Sequence, residues 1–359
     1  MFDLRILRHY LRGTDSDMTN RKITWVKSLV FTATLLSCTA SFGLTETTLR
    51  DENFGMGKLE IRSQAIGQSM RLTVPFLIPG DITKGWRTYL GTTWTNVWAN
   101  DEEFLLDYEM LDTFLAVGYG LNDDVGLALV IDNRSYFGGA MDGFIEGFHD
   151  LFGVSQDGRD TSPNGRAIIQ RTDPATGDVT AEISASELNN TGASFMLNYN
   201  FDFGLRGMPS VNLYGVARYP LESPKIFSNN NELDYGLGMG LSKRWVEHWY
   251  TYAMLNYTIY ADRGTTVPGG VEFENTQWTG MFAVAWQYHP DLSIIAQYLY
   301  SSAAIKTLKA LDEAAHEVHL GFKWRLADKY MLDFAIIENI ITMDNSPDFG
   351  LHLGLSLDL

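Results

Sequence analysis

The chain reads as an all-β protein: a transmembrane antiparallel β-barrel of about twelve strands, with a long extracellular loop containing a short helix and a hairpin. Three observations predict it. First, roughly every ten to fourteen residues of the C-terminal half, a run of alternating apolar and polar residues stops at a turn signal and restarts. The ending is the cleanest case. From Phe349 to Leu359 every odd position is large and apolar, and the even positions are Gly350, His352, Gly354, Ser356 and Asp358. Strand side chains alternate faces, so such a run has one apolar and one polar side. Second, an export signal stands at the other end. Third, no stretch approaches the ~18 uninterrupted apolar residues of a membrane helix, mean hydropathy is only −0.11, and aromatic residues make up 13% of the chain. Half-lipid-facing strands with aromatic girdles produce that balance.

The N-terminus divides into two parts. Residues 1–43 comprise an upstream segment and a signal peptide: Met18 to Lys27 is basic, Ser28 to Leu36 is apolar, and small residues follow to Gly43. Met18 is the expected true start. Leu35-Leu36-Ser37-Cys38 also resembles a lipobox; the preferred reading is that Cys38, the single cysteine, leaves with the signal. Removing residues 1–43 takes away six Lys/Arg and three Asp/Glu and leaves a net charge of −20. That excludes nucleic-acid binding, which needs basic surface against phosphates. Residues 44–85 form a second part, too apolar for a disordered tail. They are expected to act as a plug in the lumen or as a periplasmic segment, since Pro75 and Pro79 argue against extra central strands.

Residues 86–359 are the barrel. The strands fall at 86–98, 104–121, 125–137, 192–203, 210–220, 233–245, 248–261, 275–288, 291–302, 315–326, 329–339 and 347–358. Connections at 122–124, 204–209, 246–247, 289–290 and 327–328 are short, and the alternating ones are mostly long, as periplasmic turns and external loops are. The connection 99–103 is a short external one. Alternation breaks phase near Asp112, which predicts a bulge or a strand projecting from the membrane. In strand 233–245 the inward positions are Asp234, Gly236, Gly238, Gly240 and Ser242. Such a wall either leaves room for a close neighbour or accommodates strand curvature.

The same alternation nominates lumen-lining residues: Arg87, Asp107, Glu109, Asp132 and Arg134 on the first three strands, and Glu317, His319, Lys323, Arg325, Asp333 and His352 near the C-terminus. Charge on a lipid face costs about 2–4 kcal/mol for Lys or Arg at mid-bilayer, which drives these groups inward. Glu317, His319, Asp333 and His352 combine imidazole and carboxylate, a donor set that suits zinc. An ion-paired network with Lys323 and Arg325 is the preferred reading, and no metal or cofactor is expected. His149 lies near Asp142, Asp150 and Ser155, but no strand pairs an outward His with an outward Ser, so an enzyme is not expected.

In the 138–191 loop, Met141, Phe144, Ile145, Phe148, Leu151 and Phe152 recur at helical spacing. They predict a short amphipathic helix contacting membrane or partner. A hairpin is expected where 167–171 and 179–184 flank Pro174-Ala175-Thr176-Gly177-Asp178. Gly138-Gly139-Ala140-Met141-Asp142-Gly143-Phe144-Ile145-Glu146-Gly147-Phe148-His149-Asp150-Leu151-Phe152-Gly153, then Gly158-Arg159-Asp160, resembles the hallmark of the DUF3187 family. So does the ending Glu338-Asn339 with Ser346-Pro347-Asp348-Phe349-Gly350-Leu351-His352-Leu353-Gly354-Leu355. The resemblance spans most of the mature chain and implies a Gram-negative outer-membrane location without an established activity. Arg62-Ser63-Gln64-Ala65 is similar to an Arg-Asn-Gln start in that family, with Ser63 departing from it.

Two functions fit. One is a narrow channel or transporter for small solutes or apolar molecules. The other is a structural or interaction subunit of an envelope complex, docking through the 138–191 loop or the N-terminal segment. An outer-membrane hydrolase is a distant third. The expected partners are outer-membrane lipid and, on the second reading, an envelope protein. The barrel itself is expected to be monomeric.

Overall fold

Twelve antiparallel strands close into a barrel in the computed structural model. The structure describes residues 49–69, 85–139, 141–145, 147, 163–201, 203, 205, 207–224, 232–261, 271–309, 311–339 and 345–358. The signal-peptide and lipobox expectations fall outside these residues. A short helix, α1 (Leu49–Phe54), comes first, followed by extended chain and one helical turn, α2 (Ile66–Ser69). The wall then runs β1 (Gly85–Asn100), β2 (Phe104–Gly120) and β3 (Val125–Phe137). In the long loop β4 (Ile168–Thr172) and β5 (Val179–Ser184) make the expected hairpin. The wall resumes with β6 (Asn189–Phe201), β7 (Ser210–Glu222), β8 (Asp234–Val246) and β9 (Trp249–Ile259). It ends with β10 (Thr276–His289), β11 (Leu292–Ser301), β12 (Ala315–Ala327), β13 (Tyr330–Asn339) and β14 (Phe349–Asp358).

Closure comes from β1 pairing on both edges. Arg87 to Asn96 face Asp358 to Phe349 of β14, while Gly85 to Asn100 face Gly120 to Leu105 of β2. A closed sheet has no edge strand and satisfies every ladder within the wall, the condition for β-structure in hydrocarbon. Outside, Leu129, Phe195, Leu197, Leu213, Leu237, Leu255, Phe282, Ile294, Leu320, Leu353 and Leu355 are exposed. Aromatic residues ring the short-turn end: Trp86, Tyr119, Phe201, Trp245, Trp249, Trp286, Tyr288, Trp324 and Tyr330. Tyr219, Tyr235 and Trp278 stand toward the other end. An apolar band between aromatic girdles is the lipid face of an outer-membrane barrel.

The break near Asp112 is not a bulge. The β1–β2 register runs unbroken through Thr93 and Asp112, and β2 projects far enough to pair Phe104–Asp107 with the hairpin strand β4. What changes is which face is polar. Toward the long-loop end, the inward residues of β2 are Phe104, Leu106, Tyr108 and Met110, all buried. They pack with Val97 and Ala99 of β1, Ile183 and Leu188 around the hairpin, and Phe273, Ile305, Leu308 and Leu311 from other long loops. That end of the barrel is therefore filled by an apolar cluster. Its outer wall carries the polar groups instead.

The glycine wall of β8 has a local cause at one position. A methyl at Gly238 would collide with the Tyr214 ring, so the absence of a side chain gives that tyrosine its place.

Candidate functional site

Residues 55–68 pass through the barrel interior from end to end. At the short-turn end, the Asn53 amide donates to the Met208 carbonyl at 3.1 Å and accepts from the Arg244 backbone N–H at 3.2 Å. Nearby the Tyr252 hydroxyl donates to the Phe54 carbonyl at 2.6 Å. At the long-loop end, the Gln68 amide donates to the Ser302 carbonyl at 3.0 Å, and Ile66 joins the apolar cluster. Helix α1 ends in Gly55 and Gly57, both at positive φ (57° and 79°), which turn the chain inward. Side chains would collide with Tyr250 at the first and Phe54 at the second.

Between the two ends the segment is extended, and its side chains alternate. Leu59 and Ile61 are fully buried and share one core cluster with Met196, Val216, Met254 and Ile295, inward residues of β6, β7, β9 and β11. Lys58, Glu60, Arg62 and Gln64 meet the opposite wall. The lumen is divided to match. Inward charged residues concentrate on the contiguous strands β12, β13, β14, β1, β2 and β3; on β6–β11 the described ones are Arg218, Asp234 and, at the short-turn rim, Arg244.

The densest polar contact centres on Arg62. Its guanidinium grips Asp112 with both prongs, Nε lying 2.5 Å from Oδ2. It also lies 3.3 Å from Asp132 and 5.5 Å from the centre of the Phe114 ring. Asp132 in turn accepts from Arg218 at 2.9 Å, with Arg134 at 3.5 Å. Gln64 adds a 3.0 Å hydrogen bond to Asp112, and its backbone N–H donates to Glu317 at 2.8 Å. A second network lies alongside. Lys58 donates to Glu60 at 2.7 Å; Lys323 stands 3.7 Å from Glu60 and 3.6 Å from Asp333. The Tyr89 hydroxyl joins Asp333 (3.2 Å) and His352 (3.0 Å), whose other nitrogen meets Thr93 at 2.8 Å. His319 is held by Gln297 at 3.0 Å. Buried charges need such partners because desolvation otherwise costs several kcal/mol per ion, roughly.

Several sequence-derived candidates thus come together: Asp132 and Arg134 in the first network, Lys323, Asp333 and His352 in the second, with Glu317 and His319 beside the segment. Among the described residues no group of three or more His, Cys, Asp or Glu is placed to hold a metal ion. Arg87 and Arg325 occupy inward positions but sit at the short-turn rim. Arg87 pairs with Asp358, Arg325 lies 3.9 Å from Asp291, and both line a rim cavity of about 200 Å³.

Asp107 and Glu109 correct the expectation. They are on the outward phase of β2, not in the lumen. Glu109 accepts from the Trp94 indole N–H at 2.6 Å and from the Met141 backbone N–H at 2.5 Å. The polarity reversal explains the difference: the inward positions there meet apolar loops, and residues 141–145 lie over the outside. Residues 142–145 form a helical turn. Its Met141 and Ile145 are buried on Phe349, with Trp94, Ile336 and Leu351 packed around them. Asp142 accepts from the Asn96 amide at 3.3 Å and from the Gly165 N–H at 2.7 Å. Met141 and Ile145 are therefore occupied by the barrel's own wall and not offered to a partner. Phe144 remains 55% exposed; Phe148, Leu151 and Phe152 lie outside the described residues. Sequence reasoning missed Arg62, Asp112 and Arg218. The alternation of Lys58, Glu60 and Arg62 with Leu59 and Ile61 was the available signal for the first.

Comparison with known proteins adds family membership. No curated protein matches the chain. Among solved structures, the NanC porin is similar at 10% identity and TM-score 0.44, over 76% of this chain and 100% of that one. The CymD monoaromatic hydrocarbon channel is similar at 10% identity and TM-score 0.41, over 89% and 99%. The transport unit of the autotransporter AIDA-I from Escherichia coli gives 8% identity and TM-score 0.45, over 81% and 94%. The model of the family described as "Protein of unknown function (DUF3187)" matches residues 34–358, and the chain belongs to that family.

Proposed function

We propose that this protein is an outer-membrane channel held closed by its own N-terminal segment, and that residues 18–43 direct its export. One observation carries the reading: residues 55–68 cross the lumen as a separate strip, extended as far as the helical turn α2, that pairs with no strand of the wall. An extended chain with its side chains occupies about 10 Å, the face-to-face spacing of packed sheets, so removing it leaves a bore for a small solute. Twelve strands enclose an interior of that order. The apolar cluster at the long-loop end is a second closure, which must part for through-flow.

The test is planar-bilayer conductance of the full chain beside a variant lacking residues 54–69. The full chain is expected to be nearly silent, and the deletion, which also takes Ile66 out of the apolar cluster, to give openings that lengthen when Phe273→Ser and Leu308→Ser loosen that cluster further. A folded deletion barrel that stays silent with both substitutions sinks the channel reading. The alternative, docking of an envelope partner through the loop helix, has less support because Met141 and Ile145 are buried on the barrel itself.

A further inference from the structure

We infer that the lumen, once residues 54–69 have left it, binds an organic cation that carries an apolar group, with the Asp112 carboxylate as the seat of its charge. The inference rests on the plugged-channel reading and names the class of solute. Residues 58–64 are, in effect, a ligand built into the chain, and their chemistry describes the receptor. One edge is aliphatic, Leu59 and Ile61 lying in one core cluster with Met196, Val216, Met254 and Ile295; the other carries a guanidinium seated on Asp112.

Removal of the segment changes Asp112 most. It loses both prongs of Arg62 and the Gln64 amide, and keeps Arg134 at 3.7 Å. Asp132 keeps Arg218 at 2.9 Å and Arg134 at 3.5 Å, so the two wall arginines neutralise that carboxylate first. Phe114, which lies under the Arg62 guanidinium, offers its ring face to any cation in the same place. The charge balance agrees. Around the segment the wall presents five buried carboxylates (Asp112, Asp132, Asp234, Glu317, Asp333) and three cations (Arg134, Arg218, Lys323); the segment brings two cations and one carboxylate. The emptied wall carries more carboxylates than cations. An anion entering it meets an exposed carboxylate, and a neutral apolar solute leaves that carboxylate buried without a partner, at a cost in desolvation. A cation with an aliphatic or aromatic body satisfies both halves.

Butylguanidinium, pentanoate and guanidinium are suitable probes, titrated by calorimetry against the 54–69 deletion. Butylguanidinium is expected to bind about tenfold tighter than pentanoate, as a paired and partly desolvated cation should, and tighter than guanidinium alone. Asp112→Asn in the same background is expected to abolish that preference. Equal or tighter binding of pentanoate, or a preference that survives Asp112→Asn, overturns the proposal. If the deletion does not fold, full-length Arg62→Ala takes its place: butylguanidinium should raise its melting temperature, and should not raise that of Arg62→Ala/Asp112→Asn. Binding without conductance would refute the channel and leave the seat standing; conductance without cation preference would refute the seat alone.

Discussion

Arg62 and Asp112 form a two-pronged ion pair in the barrel interior, joining an extended N-terminal segment to β2 across fifty positions of sequence. Both side chains are essentially fully buried. The pair ties the segment to the wall at the point where the lumen is most charged.

Breaking that pair from one side should be costlier than removing it whole. Arg62→Ala leaves Asp112 buried without its two-pronged partner and is expected to cost about 3–5 kcal/mol, as for other buried pairs. The double variant Arg62→Ala/Asp112→Ala should recover part of the loss. Urea unfolding of the refolded barrel in detergent, analysed as a double-mutant cycle, measures the coupling. Strict additivity of the two losses would mean that the contact carries no energy.

Gly238 makes a sharper packing test. An alanine there collides with the Tyr214 ring, so Gly238→Ala is expected to destabilise the barrel by about 1–3 kcal/mol, the usual range for overpacking. Tyr214→Ala should relieve most of that penalty in the double variant. Gly177, whose neighbourhood is open but whose φ is 73°, serves as the control for backbone strain alone.

The loop helix should come off the outer wall without harm to the barrel. Ile145→Asp puts a charge into the cluster with Met141 and Phe349. Limited proteolysis is expected to cut the 138–166 stretch faster, while the heat-modifiable gel shift of the folded barrel persists. Unchanged proteolysis would mean that the cluster does not hold the loop.

The two faces of β14 should respond oppositely to charge. Leu353→Arg places a cation on the exposed apolar band at the middle of β14 and is expected to cost about 2–4 kcal/mol. Refolding into lipid vesicles at a series of urea concentrations reads the cost. Ser356→Arg, three residues away on the inward face near the rim, should cost less.

The wall was legible because lipid imposes a strict alternation on every strand that crosses it, and a one-residue slip would expose the wrong face. The twelve spans and the inward phase of Asp132, Arg134, Glu317, His319, Lys323, Asp333 and His352 all follow from that rule; the hairpin followed from its Pro174–Asp178 turn instead. It fails for Asp107 and Glu109 because the rule assumes lipid outside and water inside. At the long-loop end, a folded-back loop lies outside and apolar side chains fill the inside. Arg62 and Arg218 were hidden for a different reason. Their roles depend on which strands and segments face each other across the lumen, and no local period encodes that.

By itself, then, the amino-acid order determined a closed β-barrel, its strand boundaries and its lipid face, since these depend on contacts between each residue and its immediate medium. The tertiary structure decided how the interior is filled: that residues 55–68 cross it, that the charged side chains of the wall gather on one half of it, and that Arg62 rests on Asp112. Those facts arise from pairings between residues far apart in the chain, which become neighbours only when the sheet closes around the segment.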